Sequence, residues 1–188
     1  MRIISLTLLL LCLAMPRGIA QSDSTRQAMA ANPELTPVAG PLINADQLNR
    51  KPWFYSIDEA MRAPEQVYKL SLEGKNLKRF PFDIARFPNL QVLNLSNNKI
   101  REIPDEISSL KNLQVLNLAR NRIFVLPENM RYLEHLTHLY LGYNKIVQMP
   151  AWVGGFGQLR VLDLAYNNLT LLDIDQVRAR LPYCTVTH

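Results

Sequence analysis

His135 and His138 stand three residues apart in the run Glu134-His135-Leu136-Thr137-His138, and two imidazoles that close raise the question of a metal site. Zinc-binding helices write H-E-x-x-H, which puts both rings on one helical face. Here the order and spacing differ, and the pair falls across a loop and a strand, so no metal ligation is expected. Gly154-Gly155-Phe156-Gly157 is as glycine-rich as a phosphate-binding loop but follows no strand-to-helix turn of that kind. It reads as a loosened return segment. Nothing else in the chain assembles a nucleophile, a base and a group to stabilise developing charge. The reading is a non-enzymatic protein with no catalytic residue and no cofactor.

Binding chemistry is better represented. Tyr140, Tyr143 and Tyr166, with His138, Arg120 and Arg160, form the aromatic and cationic mixture enriched where partners are held tightly. A second set is basic. Lys99, Arg122 and Lys145, flanked by Lys75, Lys78, Arg79 and Arg101, make an edge suited to anionic lipid or glycan. Trp152 belongs to neither set and is either an exposed contact or folded onto Phe156. What relates these residues is visible only in the elements that carry them.

Leu90 to Ile100 reads LQVLNLSNNKI, and 23 residues later Leu113 to Ile123 reads LQVLNLARNRI. Set out at that period, the chain gives five rows starting at Val67, Leu90, Leu113, Leu136 and Leu159. Row positions 1, 4, 6 and 11 are apolar in all five, 20 sites in a chain that is 48% hydrophobic. Chance produces that on the order of once in a million trials. Position 9 is Asn98, Asn121, Asn144 and Asn167, and position 15 is Pro81, Pro104, Pro127 and Pro150. Each L-x-L is a short strand with leucines on one side and variable residues on the other. Stacked rows make a parallel sheet over a core that no single row could bury. The tyrosine set then falls on outward positions of the last three rows, and the basic set on position 10. The two copies differ only at Ser96/Ala119, Asn97/Arg120 and Lys99/Arg122, all read as facing solvent.

These rows resemble the leucine-rich repeat family, in its 23-residue class LxxLxLxxNxIxxLPxxIxxLxx, from Val67 to about Leu172. The resemblance implies an α/β solenoid, with parallel strands on a concave face and an irregular or short-helical convex side. It also implies a recognition or scaffold module whose partner is a protein, peptide or glycan. Lys75 stands where later rows have Asn, as a terminal row would. Five strands about 4.8 Å apart give a sheet about 20 to 25 Å wide. That face offers a few hundred Å², against about 800 Å² per partner in a standard interface. Binding is therefore expected to be weak, to target a peptide or glycan, or to draw in the loops.

Residues 1–20 have the form of a signal peptide: Arg2, an apolar run from Ile3 to Met15, then Gly18-Ile19-Ala20. Cleavage there removes Arg2 and Arg17 and no acid, so the formal charge of +5 becomes +3, too modest to imply nucleic acid. Cleavage also removes Cys12 and leaves Cys184 alone, so no internal disulfide forms. Secreted animal and plant relatives usually have cysteine-stapled caps, so the resemblance points to a bacterial envelope or medium. Residues 21–52 read as a tether without period. Residues 53–66 form an N-terminal cap, whose Ser56-Ile57-Asp58-Glu59 capping box opens a helix to about Ala63. Residues 67–172 are the repeats. Residues 173–188 form a C-terminal cap, with Ile174, Val177 and Leu181 on one helical face, Pro182 ending it, and a strand from Tyr183 to Thr187 that buries Cys184. The whole is read as a monomer, with no transmembrane segment once the signal is removed and, as the alternative role, a structural contact with the envelope through the basic edge.

Overall fold

Every leucine of the L-x-L cores points into one interior, and that alternation sets the architecture. The computed structural model describes residues 40–188. The signal reading, and the tether reading for 21–39, lie outside the described residues.

Seven strands run parallel in chain order. They are β1 (Trp53–Phe54), β2 (Lys69–Ser71), β3 (Val92–Asn94), β4 (Val115–Asn117), β5 (His138–Tyr140), β6 (Val161–Asp163) and β7 (Thr185–Thr187). Register follows the period: Leu70, Leu93, Leu116, Leu139 and Leu162 pair in succession. All five are fully buried. Parallel strands need a crossover. Here each return is a 3₁₀ turn opened by the row's proline: Phe82–Arg86, Asp105–Ser109, Glu128–Tyr132 and Ala151–Gly155. The 3₁₀ form rises about 2.0 Å per residue rather than 1.5 Å, so few residues suffice to recross the core. Ile84, Ile107, Met130 and Val153 point inward from these turns and are almost wholly buried.

The row asparagines hold the bend. Asn121 donates its amide to the carbonyls of Leu95 (2.9 Å), Leu118 (3.0 Å) and Ala119 (3.3 Å), and its Oδ1 accepts from Ile100 N–H (3.0 Å). Asn98, Asn144 and Asn167 repeat the pattern, so buried backbone groups left by the turns find partners.

The caps differ in detail from the sequence expectation. The stretch read as tether is folded from Gly40 onward. Gly40 N–H donates to Asn89 Oδ1 (2.7 Å), and Asn112 returns an amide to the Gly40 carbonyl (2.9 Å). Helix α1 (Ala45–Arg50) follows, with Asn44 and Gln47 in a reciprocal cap and Leu48 buried. Absence of period hid this segment, because one turn and a half of helix is too short to show one. Helix α2 spans Ile57–Ala60, shorter than expected. Its Ser56 hydroxyl accepts from Glu59 N–H, but the Glu59 carboxylate takes Tyr55 N–H, so the box is completed one residue early. At the other end α3 (Leu171–Arg180) buries Ile174 and Val177, and Leu181 just past its last residue is buried with them, as their spacing predicts. The C-terminal strand starts at Thr185, two residues later than expected, and Cys184 is half-buried against the core rather than enclosed. Burial pushes its thiol pKa up, while Arg160 beside it pulls down. Gly154 is more than slack: a Cβ there would meet Arg180 Cβ at 3.1 Å, so it admits α3 to the stack.

Candidate functional site

Row position 8 follows each strand where the chain turns away from the sheet. In all five rows it is left-handed, with φ of 67° at Gly74, 56° at Asn97, 56° at Arg120, 58° at Tyr143 and 57° at Tyr166. The turn is locked between rows, since Arg120 N–H donates to the Gly142 carbonyl (2.8 Å) and Tyr143 N–H to that of Ala165 (2.7 Å). Glycine and asparagine accept this conformation readily, whereas for most other residues the Cβ crowds the following carbonyl oxygen at a cost of about 1 to 2 kcal/mol. Rows three to five accept that cost three times in succession.

What offsets it is stacking. The Arg120 guanidinium carbon lies 4.3 Å from the Tyr143 ring centroid, and the Tyr143 and Tyr166 rings stack at 4.2 Å with 18° between planes. The row spacing of about 4.8 Å nearly matches a ring-stacking distance, so identical positions in adjacent rows stack without adjustment. Cation–π and ring contacts return about 0.5 to 1.5 kcal/mol each, comparable to the strain. Tyr143 has both faces covered, while Tyr166, 71% exposed, presents its ring to solvent. The phenol of Tyr143 is raised above its ordinary range, first by hydrogen bonding with Tyr166 and then by burial.

Beside this ladder, on the strands, His138 and Tyr140 face outward with rings 6.3 Å apart. Thr137 Oγ1 donates to the Gln114 carbonyl and lies 2.9 Å from His138 Nδ1. With the hydroxyl proton directed to the Gln114 carbonyl, a hydrogen on Nδ1 would donate to the Thr137 oxygen. Tyr140 occupies position 5, where Asn94, Asn117 and Asp163 use Oδ1 to accept the N–H two residues on, at 3.0, 3.0 and 3.1 Å. Those residues are therefore turn formers and not merely solvated. Ser96, read as facing solvent, is buried beneath that turn. Row four gives up the arrangement. Gly142 there makes room for Asp163, whose Oδ2 would lie 2.5 Å from an added Cβ.

Of the six residues singled out by type, Arg120, Tyr143 and Tyr166 come together, and His138 and Tyr140 form a second pair. Arg160 precedes β6, at the opposite end of the strands from the ladder, near Cys184. Lys99, Arg122 and Lys145 are exposed in successive rows, with Lys145 Nζ 5.4 Å from the Phe124 ring. Trp152 folds edge-on against Phe156, with centroids 5.7 Å apart. The left-handed site was missed in the sequence, although Gly74 and Asn97 at position 8 are the signal that marks it. Also missed was Glu73, which accepts amide hydrogens from both Asn94 (3.1 Å) and Asn97 (2.7 Å).

Among the described residues no helix is long and apolar enough to cross a membrane. Solved structures with the same fold include a Leptospira interrogans leucine-rich repeat protein, 29% identical with a TM-score of 0.66 over 73% of this chain and 35% of that one. Internalin C2 of Listeria monocytogenes is 27% identical with a TM-score of 0.58, over 65% of this chain and 52% of its own. A TLR13 complex with single-stranded RNA, at 24% identity and a TM-score of 0.60 over 71% of this chain and 20% of that one, shares the fold alone. The chain thus spans about a third to a half of the first two. A search of curated proteins returns no match. The model of the leucine-rich repeat region matches residues 66–176, well over half the sequence and the same span as the rows. The chain belongs to the leucine-rich repeat family.

Proposed function

We propose that this chain is an exported, non-enzymatic recognition module that holds a protein or peptide partner on rows three to five. Arg120, Tyr143 and Tyr166 are the anchor, with His138 and Tyr140 as the adjoining polar contact. The observation that carries the reading is the ladder itself. Three successive rows keep large side chains at a strained position that Gly74 and Asn97 fill without cost, and the result is a rigid, partly exposed aromatic surface. Rigid aromatics give contact area at little entropic cost.

Area supports the same choice. Seven strands span about 30 Å, and at two or three residues each their face is about 300 Å² at most, below the standard interface. Side chains at the turn extend that surface beyond the strands. Export is supported by the composition of residues 1–20. The similarity to an internalin and to a spirochaete leucine-rich repeat protein supports a protein partner in general terms.

The test is photo-crosslinking in the native envelope, with the reactive residue placed at Tyr143 or, on the convex side, at Asn129. A discrete adduct from position 143 alone is expected. An adduct from position 129 alone would remove the proposal.

A further inference from the structure

The loops leaving the Asn ladder, row positions 9 to 13, form a surface whose character changes along the solenoid. Row one exposes Lys75, Lys78 and Arg79, and row two exposes Lys99 and Arg101. Arg122 and Lys145 continue the cationic line at position 10, and Glu102 is the one exposed carboxylate at these positions among the described residues. From row three onward the neighbouring positions turn apolar: Phe124 is 46% exposed, Val125 68%, Val147 54% and Leu171 74%. Scattered apolar side chains on a surface mean little, but a run of them in consecutive rows beside a block of cations is a composition with a use.

We propose that this loop face seats on an anionic lipid surface, with the cations of rows one and two on headgroups and Phe124, Val125 and Val147 entering the interfacial layer. Cations alone would suit an acidic glycan equally well, yet a glycan leaves the valines in water. An acidic peptide is the other candidate, and the groove it would occupy argues against it. That groove, about 640 Å³ between rows two and three, is lined by Arg101, Glu102 and Asp105 as well as Phe124 and Val125. Two carboxylates against one guanidinium make it a poor seat for an acidic segment. A bilayer needs no groove, only projecting tips and a charge of the right sign, and each cation brought near an anionic leaflet strengthens binding about fivefold. The ladder of Tyr143 and Tyr166 plays no part, so this surface and the partner site act independently.

Sedimentation of the full chain with vesicles tests it, using phosphatidylcholine alone and phosphatidylcholine with about a third phosphatidylglycerol. Binding to the anionic vesicles only, weakened at least tenfold by half-molar salt, is expected. Val125→Asp with Val147→Asp alters exposed sites and so leaves melting unchanged, but should weaken vesicle binding at least tenfold. Arg79→Glu with Arg101→Glu should do the same. Tyr143→Ala with Tyr166→Ala should leave it intact, which separates failure here from failure of the partner site. Equal retention on both vesicle types, or none, overturns the proposal. So does an intact signal from the valine pair when the charge pair abolishes binding, which would mark a surface for polyanions without lipid. Capture of a synthetic acidic amphipathic peptide by a chain that ignores anionic vesicles would overturn it in favour of a peptide groove.

Discussion

Tyr143 and Tyr166 stand at φ near 57°, where a backbone without a side chain would rest more easily, and that conflict is measurable. Tyr166→Asn and Tyr166→Ala both remove the stack, but asparagine tolerates the left-handed turn and alanine does not. Urea denaturation should therefore find the asparagine variant more stable by about 1 kcal/mol. Equal stability would mean the position carries no strain. The position 5 residues invite a second comparison. Asn117 accepts the Ala119 N–H, so Asn117→Ala should cost about 1 kcal/mol. Asn121 satisfies four backbone groups in a buried setting, and Asn121→Ala should cost about 3 kcal/mol or more by the same measurement. Side-chain type and period found the ladder residues in the sequence, because rows 23 apart must be neighbours. They did not reveal the turn conformation, since Gly74, Asn97, Arg120, Tyr143 and Tyr166 look like drift until φ is known. Nor did they separate Asn117 from a solvated residue, because an Asx turn leaves no period behind it.

The row elements follow from the repeat alone, and the caps do not. A row is specified five times over, so a weak signal in any one copy is corrected by the rest. Each cap is written once. The spacing of Ile174, Val177 and Leu181 was enough for α3, a helix of ten residues. The two-residue strand β1 and the six-residue α1 are below the length at which period speaks, and tertiary partners hold them: β1 pairs with β2, and Lys69 Nζ donates to the Asn49 carbonyl of α1 (3.3 Å). The C-terminal cap carries a pH signature. Asp173 is held below the ordinary carboxylate range by hydrogen bonds from the Thr170 hydroxyl and then its backbone N–H. A lowered carboxylate stabilises the fold above its unfolded value, about 3.9, and that contribution is lost as pH falls through the folded value. Thermal melts of the parent chain and Asp173→Asn should thus converge as pH drops below about 4. A gap that stays constant to low pH would show the cap bond to be absent in solution.

Across the whole solenoid, each row meets only its neighbours, and stability is carried by one continuous core. Leu116, fully buried in the central row, should cost about 2 to 5 kcal/mol on truncation to alanine and should unfold rows on both sides together. A calorimetric trace in which the flanking rows melt separately would refute that cooperativity. The proposed partner site lies outside this core, since its residues stand at turns and on outward strand faces. Stability and recognition can therefore be separated, and the most direct measurement does so with one variant. Tyr143→Asn with Tyr166→Asn, which removes the rings but suits the left-handed turn, assayed for equilibrium binding to the crosslinked partner, should lose at least tenfold in affinity, about 1.4 kcal/mol, with little change in melting temperature. The matched variant Lys99→Glu with Lys145→Glu should bind that partner nearly as the parent does. Full affinity in the tyrosine variant, with loss in the lysine variant, would contradict the ladder as the recognition surface.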